Sequence, residues 1–226
     1  MEKKEFFKTE EEPKFSSPGF SSKISGFSSK LFGIIKFILG ICLLPFVYSL
    51  SAAFLGQLGL IERPLQSCFW SGVVSFLIIY LFIWEAAVIY AKGQKLLEII
   101  FTFFKPLVRL APYVLPVYTI LLFIVYGLLS LVIKSAWLIQ YSMFLIGFTA
   151  ALHLVFSAKS IRSKKSDFLK ANYIFGFFLV YLINLTILAF CANLVFKDFS
   201  FIKFSNNSYQ AASDIFYAVF RQLFLR

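Results

Sequence analysis

The sequence predicts an all-α polytopic membrane protein, a bundle of about five transmembrane helices followed by a C-terminal amphipathic helix. Three observations predict it. Of the 226 residues, 60% are hydrophobic and only 15% charged, with a mean hydropathy of +0.83, against roughly 45 to 50% and about 25% in soluble domains. The apolar residues gather into five runs, each meeting the requirement of about 20 residues for a helix that crosses roughly 30 Å of hydrocarbon. Within the runs apolar character is continuous rather than alternating, which excludes a membrane β-barrel. A helix remains, because it satisfies every backbone amide inside its own segment.

Residues 1–30 carry Lys3, Lys4, Lys8, Lys14, Lys23 and Lys30, an acidic run Glu10 to Glu12, and a Ser/Gly-rich stretch. That composition buries little apolar area and is expected to be a disordered tail. Its Phe6, Phe7, Phe15, Phe20 and Phe27 suit shallow contact with a lipid surface. No cleavable signal peptide is expected, since a polar segment precedes the first apolar run and that run exceeds a signal core of about 7 to 15 residues.

The transmembrane bundle is expected over 31–196, with spans at Leu31–Leu55, Phe69–Ala91, Leu107–Ile133, Ala136–Ala158 and Tyr173–Phe196. Pro45 is expected to kink the first. Pro106, Pro112 and Pro116 crowd the start of the third. An interior proline leaves the carbonyl four residues earlier without its amide. Such backbone survives at membrane depth only when buried against protein or water, so Pro112 and Pro116 mark a segment that lines a cavity or a close helix contact. In the 197–226 tail, residues from Ser208 onward read as a surface amphipathic helix with Ile215, Phe216, Val219, Phe220 and Leu223 on one side.

Lys and Arg number seven up to Lys36, then one, four, one and five in the successive loops, and four in the tail. This pattern places the N-terminus in the cytoplasm and the C-terminus outside; only the last count resists it. With basic residues set between apolar runs, the net charge of +11 points to the bilayer surface as partner and away from nucleic acid. Cys42, Cys68 and Cys191 are far apart in sequence, supporting neither a disulfide framework nor a zinc knuckle. No cofactor is implied.

One acidic residue lies inside an apolar run, Glu85. An ionisable group there costs several kcal/mol, on the order of 2.5 to 3.5 for Asp, and by default marks a functional or paired site. At 1.5 Å per residue Glu85 sits roughly 9 Å from the cytoplasmic end of its span, and the chain's single histidine, His153, about 7 to 8 Å from the same end of another. Asp167 follows in the next cytoplasmic loop, and Asn184 falls mid-span in the fifth helix. The structural reading is that Glu85 and His153 hold helices together. The functional one is a proton or metal site, although one glutamate and one histidine fall short of the three protein ligands of a zinc site. Ser142, Ser157 and Ser160, near His153, have the usual role of serine in membrane helices, hydrogen bonding between helices.

The order LAPYVLPVYT (Leu110–Thr119), GFTAALHLVFSAKSIRSKKSDF (Gly147–Phe168) and YLINL (Tyr181–Leu185) resembles bacterial polytopic proteins related to the site-2 protease family of intramembrane zinc metalloproteases, over Phe69 to Phe196. In that family a His-Glu-x-x-His motif precedes the proline segment, with two zinc-binding histidines one turn apart and the glutamate as general base. The matching residues here are Trp84, Glu85, Ala86, Ala87 and Val88. Both histidines are replaced, by Trp84 and Val88, which cannot ligate metal. The resemblance maps His153 and Asp167 onto later positions, Asp167 as a carboxylate ligand. It thus implies a protease-like scaffold that has lost its zinc, held in a bacterial inner membrane and binding membrane partners without cutting them. Two alternatives stand beside it: a small transporter or transporter subunit that uses Glu85 and His153, and a purely structural membrane subunit.

Overall fold

The computed structural model describes residues 20–82, 87–102, 111, 113–163 and 173–224. The helices among them are α1 (Phe20–Leu58), α2 (Arg63–Phe82), α3 (Ala87–Ile100), α4 (Val117–Val132), α5 (Ala136–Ser163), α6 (Tyr173–Val195) and α7 (Phe201–Phe224). Among the described residues four segments are long and apolar enough to cross a membrane: Gly33–Leu58 of α1, α2, Ala136–Arg162 of α5, and α6. They mark the chain as a helical membrane protein.

The third expected span is interrupted at residues 115–116, inside its apolar run. Helix α4 begins at Val117 and has 16 residues, because Pro116 breaks the chain of backbone hydrogen bonds ahead of it. The second expected span, Phe69–Ala91, takes in most of α2 and the start of α3; Glu85, with its neighbours 83–86, lies outside the described residues, as do Pro112 and Asp167.

Helices α2 and α5 form the tightest seam, and glycine is the reason. A methyl group on Gly72 would overlap the Phe144 carbonyl oxygen, and one on Gly147 would overlap that of Phe69. Small residues are how membrane helices bring their backbones together, since lipid supplies no hydrophobic drive between them. Aromatic rings continue the seam. Phe76, with none of its surface exposed, meets Phe148 edge-on at 5.3 Å, and Phe156 meets Tyr80 edge-on at 5.6 Å and stacks on Tyr90 at 5.5 Å. Each such pair contributes about 0.5 to 1.5 kcal/mol beyond its burial.

The other half of the bundle joins α1, α6 and α7. Ser51 and Tyr181 share a hydrogen bond at 2.8 Å between α1 and α6. The α1–α2 turn is closed by Gln66 Nε2, which donates to the carbonyls of Gly59 and Ile61. After α6 the chain reverses in five residues, 196–200, around Phe199, which is buried on Phe54. Three side chains satisfy the first amides of α7. Gln57 Oε1 accepts from Ser200 N–H at 2.9 Å, Asn193 Oδ1 from Phe201 N–H at 2.9 Å, and Ser200 Oγ from Lys203 N–H at 3.3 Å, the role of an N-cap. Two of these acceptors come from α1 and α6, so the start of α7 is tied to both. The tail helix therefore begins seven residues before the expected Ser208 and packs along α1, with Phe204, Ser208 and Ala212 buried and Phe216 on Phe46 at 5.4 Å.

Candidate functional site

The polar centre of the bundle is built around a break in a helix. Pro116 has φ −79° and ψ 75°, close to the inverse γ-turn values of about −75° and +65°. The turn closes where Val117 N–H donates to the Leu115 carbonyl at 2.9 Å. In an unbroken helix that amide would serve Tyr113, four residues back. The Tyr113 carbonyl is thereby released at membrane depth, where an unsatisfied backbone group costs several kcal/mol.

Neighbouring helices replace the missing donors. Ser157 Oγ of α5 donates to the Tyr113 carbonyl at 2.9 Å. Asn184 Nδ2 of α6 donates to the next carbonyl, Val114, at 2.9 Å, and also to Val180 in its own helix at 2.8 Å. The backbone of Val114 hydrogen-bonds His153 as well. His153 Nε2 lies 3.1 Å from Ser157 Oγ, and the Tyr90 hydroxyl lies 3.1 Å from the same atom. Ser157 spends its single proton on Tyr113, so toward Tyr90 it is the acceptor, and its contact with His153 follows the tautomer of the ring. Tyr90 extends the network to Ser160 and Gln94. On the far side of the break Thr119 and Thr149 share a hydrogen bond at 3.1 Å, and Tyr118 donates to the Ile89 carbonyl at 2.6 Å. The Tyr118 ring can reach there because it lies over Gly93, where a Cβ would stand 2.7 Å from the ring.

His153, Pro116 and Asn184, expected from the sequence as site residues, thus converge on one polypeptide bend. Two residues central to the network had lesser standing. Ser157 was expected only as a generic interhelical partner, and Tyr90 carried no expectation although it closes the predicted second span. The available signal was spacing: His153 and Ser157 stand four apart on one helix face, at the depth where the proline segment begins.

The cavities lined by described residues at the break are small. A cavity of about 30 Å³ lies between Pro116, Thr119, Tyr181 and Asn184, and one of about 10 Å³ between Tyr90, Gln94, Tyr118 and His153. Such volumes suit about one water each, whereas small-molecule pockets occupy roughly 300 to 1,000 Å³. A broad indentation of about 640 Å³ runs along the outer side of α2 past Arg63, Ser67, Ser71 and Ser75, away from this centre. Among the described residues no three His, Cys, Asp or Glu side chains are grouped to hold a metal ion. No protein family, curated protein or solved structure matches the chain.

Proposed function

We propose that this protein is a non-catalytic membrane scaffold that binds other membrane proteins, with its central polar cluster serving to hold a broken helix in place. One observation carries the reading. Ser157, Asn184 and His153 all engage the Tyr113 and Val114 backbone released by Pro116, and the adjoining cavities are of water size. A histidine held in this way supports helix cohesion rather than proton or ion handling. The resemblance to site-2 proteases fits as a scaffold relationship, in which Trp84 and Val88 take the places of two zinc histidines and supply no metal donor.

The test is metal content together with proteolytic assay of the protein purified from membranes. The expected result is zinc well below one equivalent, with no cleavage of transmembrane peptides on adding zinc. Stoichiometric zinc, or zinc-dependent cleavage lost in Glu85→Gln, would overturn the proposal.

A further inference from the structure

Helix α7 is polar along a face that the fold leaves uncovered. Its 24 residues extend about 36 Å at 1.5 Å per residue. The buried side, Phe204, Ser208 and Ala212, meets the rest of the bundle. Taken at 100° per residue, Lys203, Asn206, Gln210, Asp214, Tyr217 and Arg221 form a stripe on the opposite side, and all are exposed.

The stripe lies at membrane depth. Phe199 packs on Phe54, Ser208 borders a cleft with Leu50 and Thr186, and Phe216 packs on Phe46. Successive positions toward the C-terminus therefore meet successively earlier positions of α1, and the two helices run antiparallel. Phe46 is twelve residues before the end of α1 at Leu58, about 18 Å along the axis, more than half of a hydrocarbon layer of roughly 30 Å. Between those levels lie Asn206, Gln210 and Asp214, which hydrocarbon does not solvate.

We infer that the stripe is the contact between two copies of this chain. This rests on the membrane-scaffold reading above and names the partner. A carboxamide carries both donors and an acceptor, so across a two-fold axis along the membrane normal, where each residue meets its own counterpart, Asn206 and Gln210 are self-complementary. Interhelical amide bonds of this kind drive association within bilayers. Asp214 lies within about one turn of Gln210 and Tyr217, whose N–H and O–H groups on the facing helix are donors to it. Asp214 is met diagonally by those donors rather than by its own counterpart, and the basic side chains do not oppose the pairing. Lys203 and Arg221 stand in the first and last turns of α7, where long side chains reach the headgroups.

The experiment is disulfide scanning of the full chain in native membranes, with Cys42, Cys68 and Cys191 replaced by alanine. Single cysteines are placed at Asn206, Gln210 and Tyr217 on the stripe, and at Val219 and Leu223, which lie on the side of α7 that carries Phe204, Ser208 and Ala212 and are exposed at 46% and 69%. Copper-phenanthroline oxidation is expected to give dimers at the three stripe positions and none at the other two. The unmodified chain in nanodiscs is expected at twice the 25.9 kDa of one copy, and Asn206→Leu with Gln210→Leu to weaken the dimer about tenfold, the effect of one or two interhelical polar bonds. A monomeric unmodified chain, equal cross-linking at all five positions, or labelling of the Gln210 and Tyr217 cysteines by a membrane-impermeant maleimide would overturn the inference, the last by showing a water-lined face. Alkaline carbonate extraction separates the two readings. Release of the chain from the membrane defeats the membrane reading and the dimer together, whereas retention without stripe cross-links defeats the dimer alone.

Discussion

Ser157 Oγ donates to the Tyr113 carbonyl at 2.9 Å across 44 residues of sequence, and so replaces the amide that Val117 turns toward Leu115. The proline break ahead of α4 is tolerable because α5 and α6 bring side chains to the Tyr113 and Val114 carbonyls. Removal of those donors should therefore cost stability well beyond what a small polar side chain would suggest.

For Ser157→Ala the expected loss is about 1 to 3 kcal/mol, the penalty for leaving a buried acceptor without its partner. Thermal unfolding in detergent micelles checks it. A midpoint unchanged from the parent chain would show that the Tyr113 carbonyl has another donor.

Asn184 and Pro116 should be coupled. Asn184→Leu strips a donor from Val114 and is expected to destabilise by a similar amount. Pro116→Ala restores an amide and lets the helix continue, which lessens the need for an outside donor. The double substitution should be less than additive by about 1 kcal/mol, within the range for residues in one hydrogen-bond network. A four-member unfolding cycle measures the difference, and strict additivity would reject the coupling.

Gly72→Ala and Gly147→Ala should each push α2 and α5 apart, because the neighbour that the new methyl meets is backbone. A cost of about 1 to 3 kcal/mol or more is expected from overpacking. Gly127→Ala is the control, since a Cβ there meets nothing within 4 Å, and it should be neutral or stabilising by up to about 1 kcal/mol. Monodispersity and melting temperature of the three variants, compared side by side, read the contrast.

Gln57→Ala and Asn193→Ala should loosen the start of α7 while leaving the spans assembled. Each removes the acceptor of one of its first amides, a change worth about 1 kcal/mol for a helix cap. Hydrogen exchange at Ser200 and Phe201 should rise roughly fivefold, and limited trypsin cleavage at Lys203 should accelerate. Unchanged exchange would show that Phe199 packing alone holds the turn.

The antiparallel course of α7 along α1 also bears on the ends of the chain. Counting basic residues per loop places the termini on opposite sides of the membrane, with the tail count as the exception. With α7 returning, Lys197 and Lys203 stand at the start of that helix and Arg221 in its last turn, so the tail count is not expected to fall on one surface. Topology reporters joined ahead of Met1 and after Arg226 are expected to read the same compartment; opposite compartments would place the C-terminal half of α7 on the outer surface.

Much of the polar centre was legible before the fold. His153, Pro116 and Asn184 each stand out against an apolar background, because a polar or helix-breaking residue in a membrane span demands a partner. The identity of those partners was not legible. His153 and Glu85 share an expected depth, yet depth is one coordinate of three. Helix rotation and neighbour choice set the other two, and among the described residues, which do not include Glu85, His153 meets Ser157, Tyr90 and the Val114 backbone.

The sequence by itself determined that this is a helical membrane protein and where its long apolar segments lie, because hydrocarbon imposes a length and a polarity that each segment must meet on its own. It also determined that the proline segment must be covered. Only the tertiary structure decided what covers it, that glycines join α2 to α5, and that the amphipathic tail folds back along α1. These outcomes depend on close contact between residues remote in sequence: Gly72 with Phe144, Ser157 with Tyr113, Gln57 with Ser200. No local periodicity encodes which pairs meet.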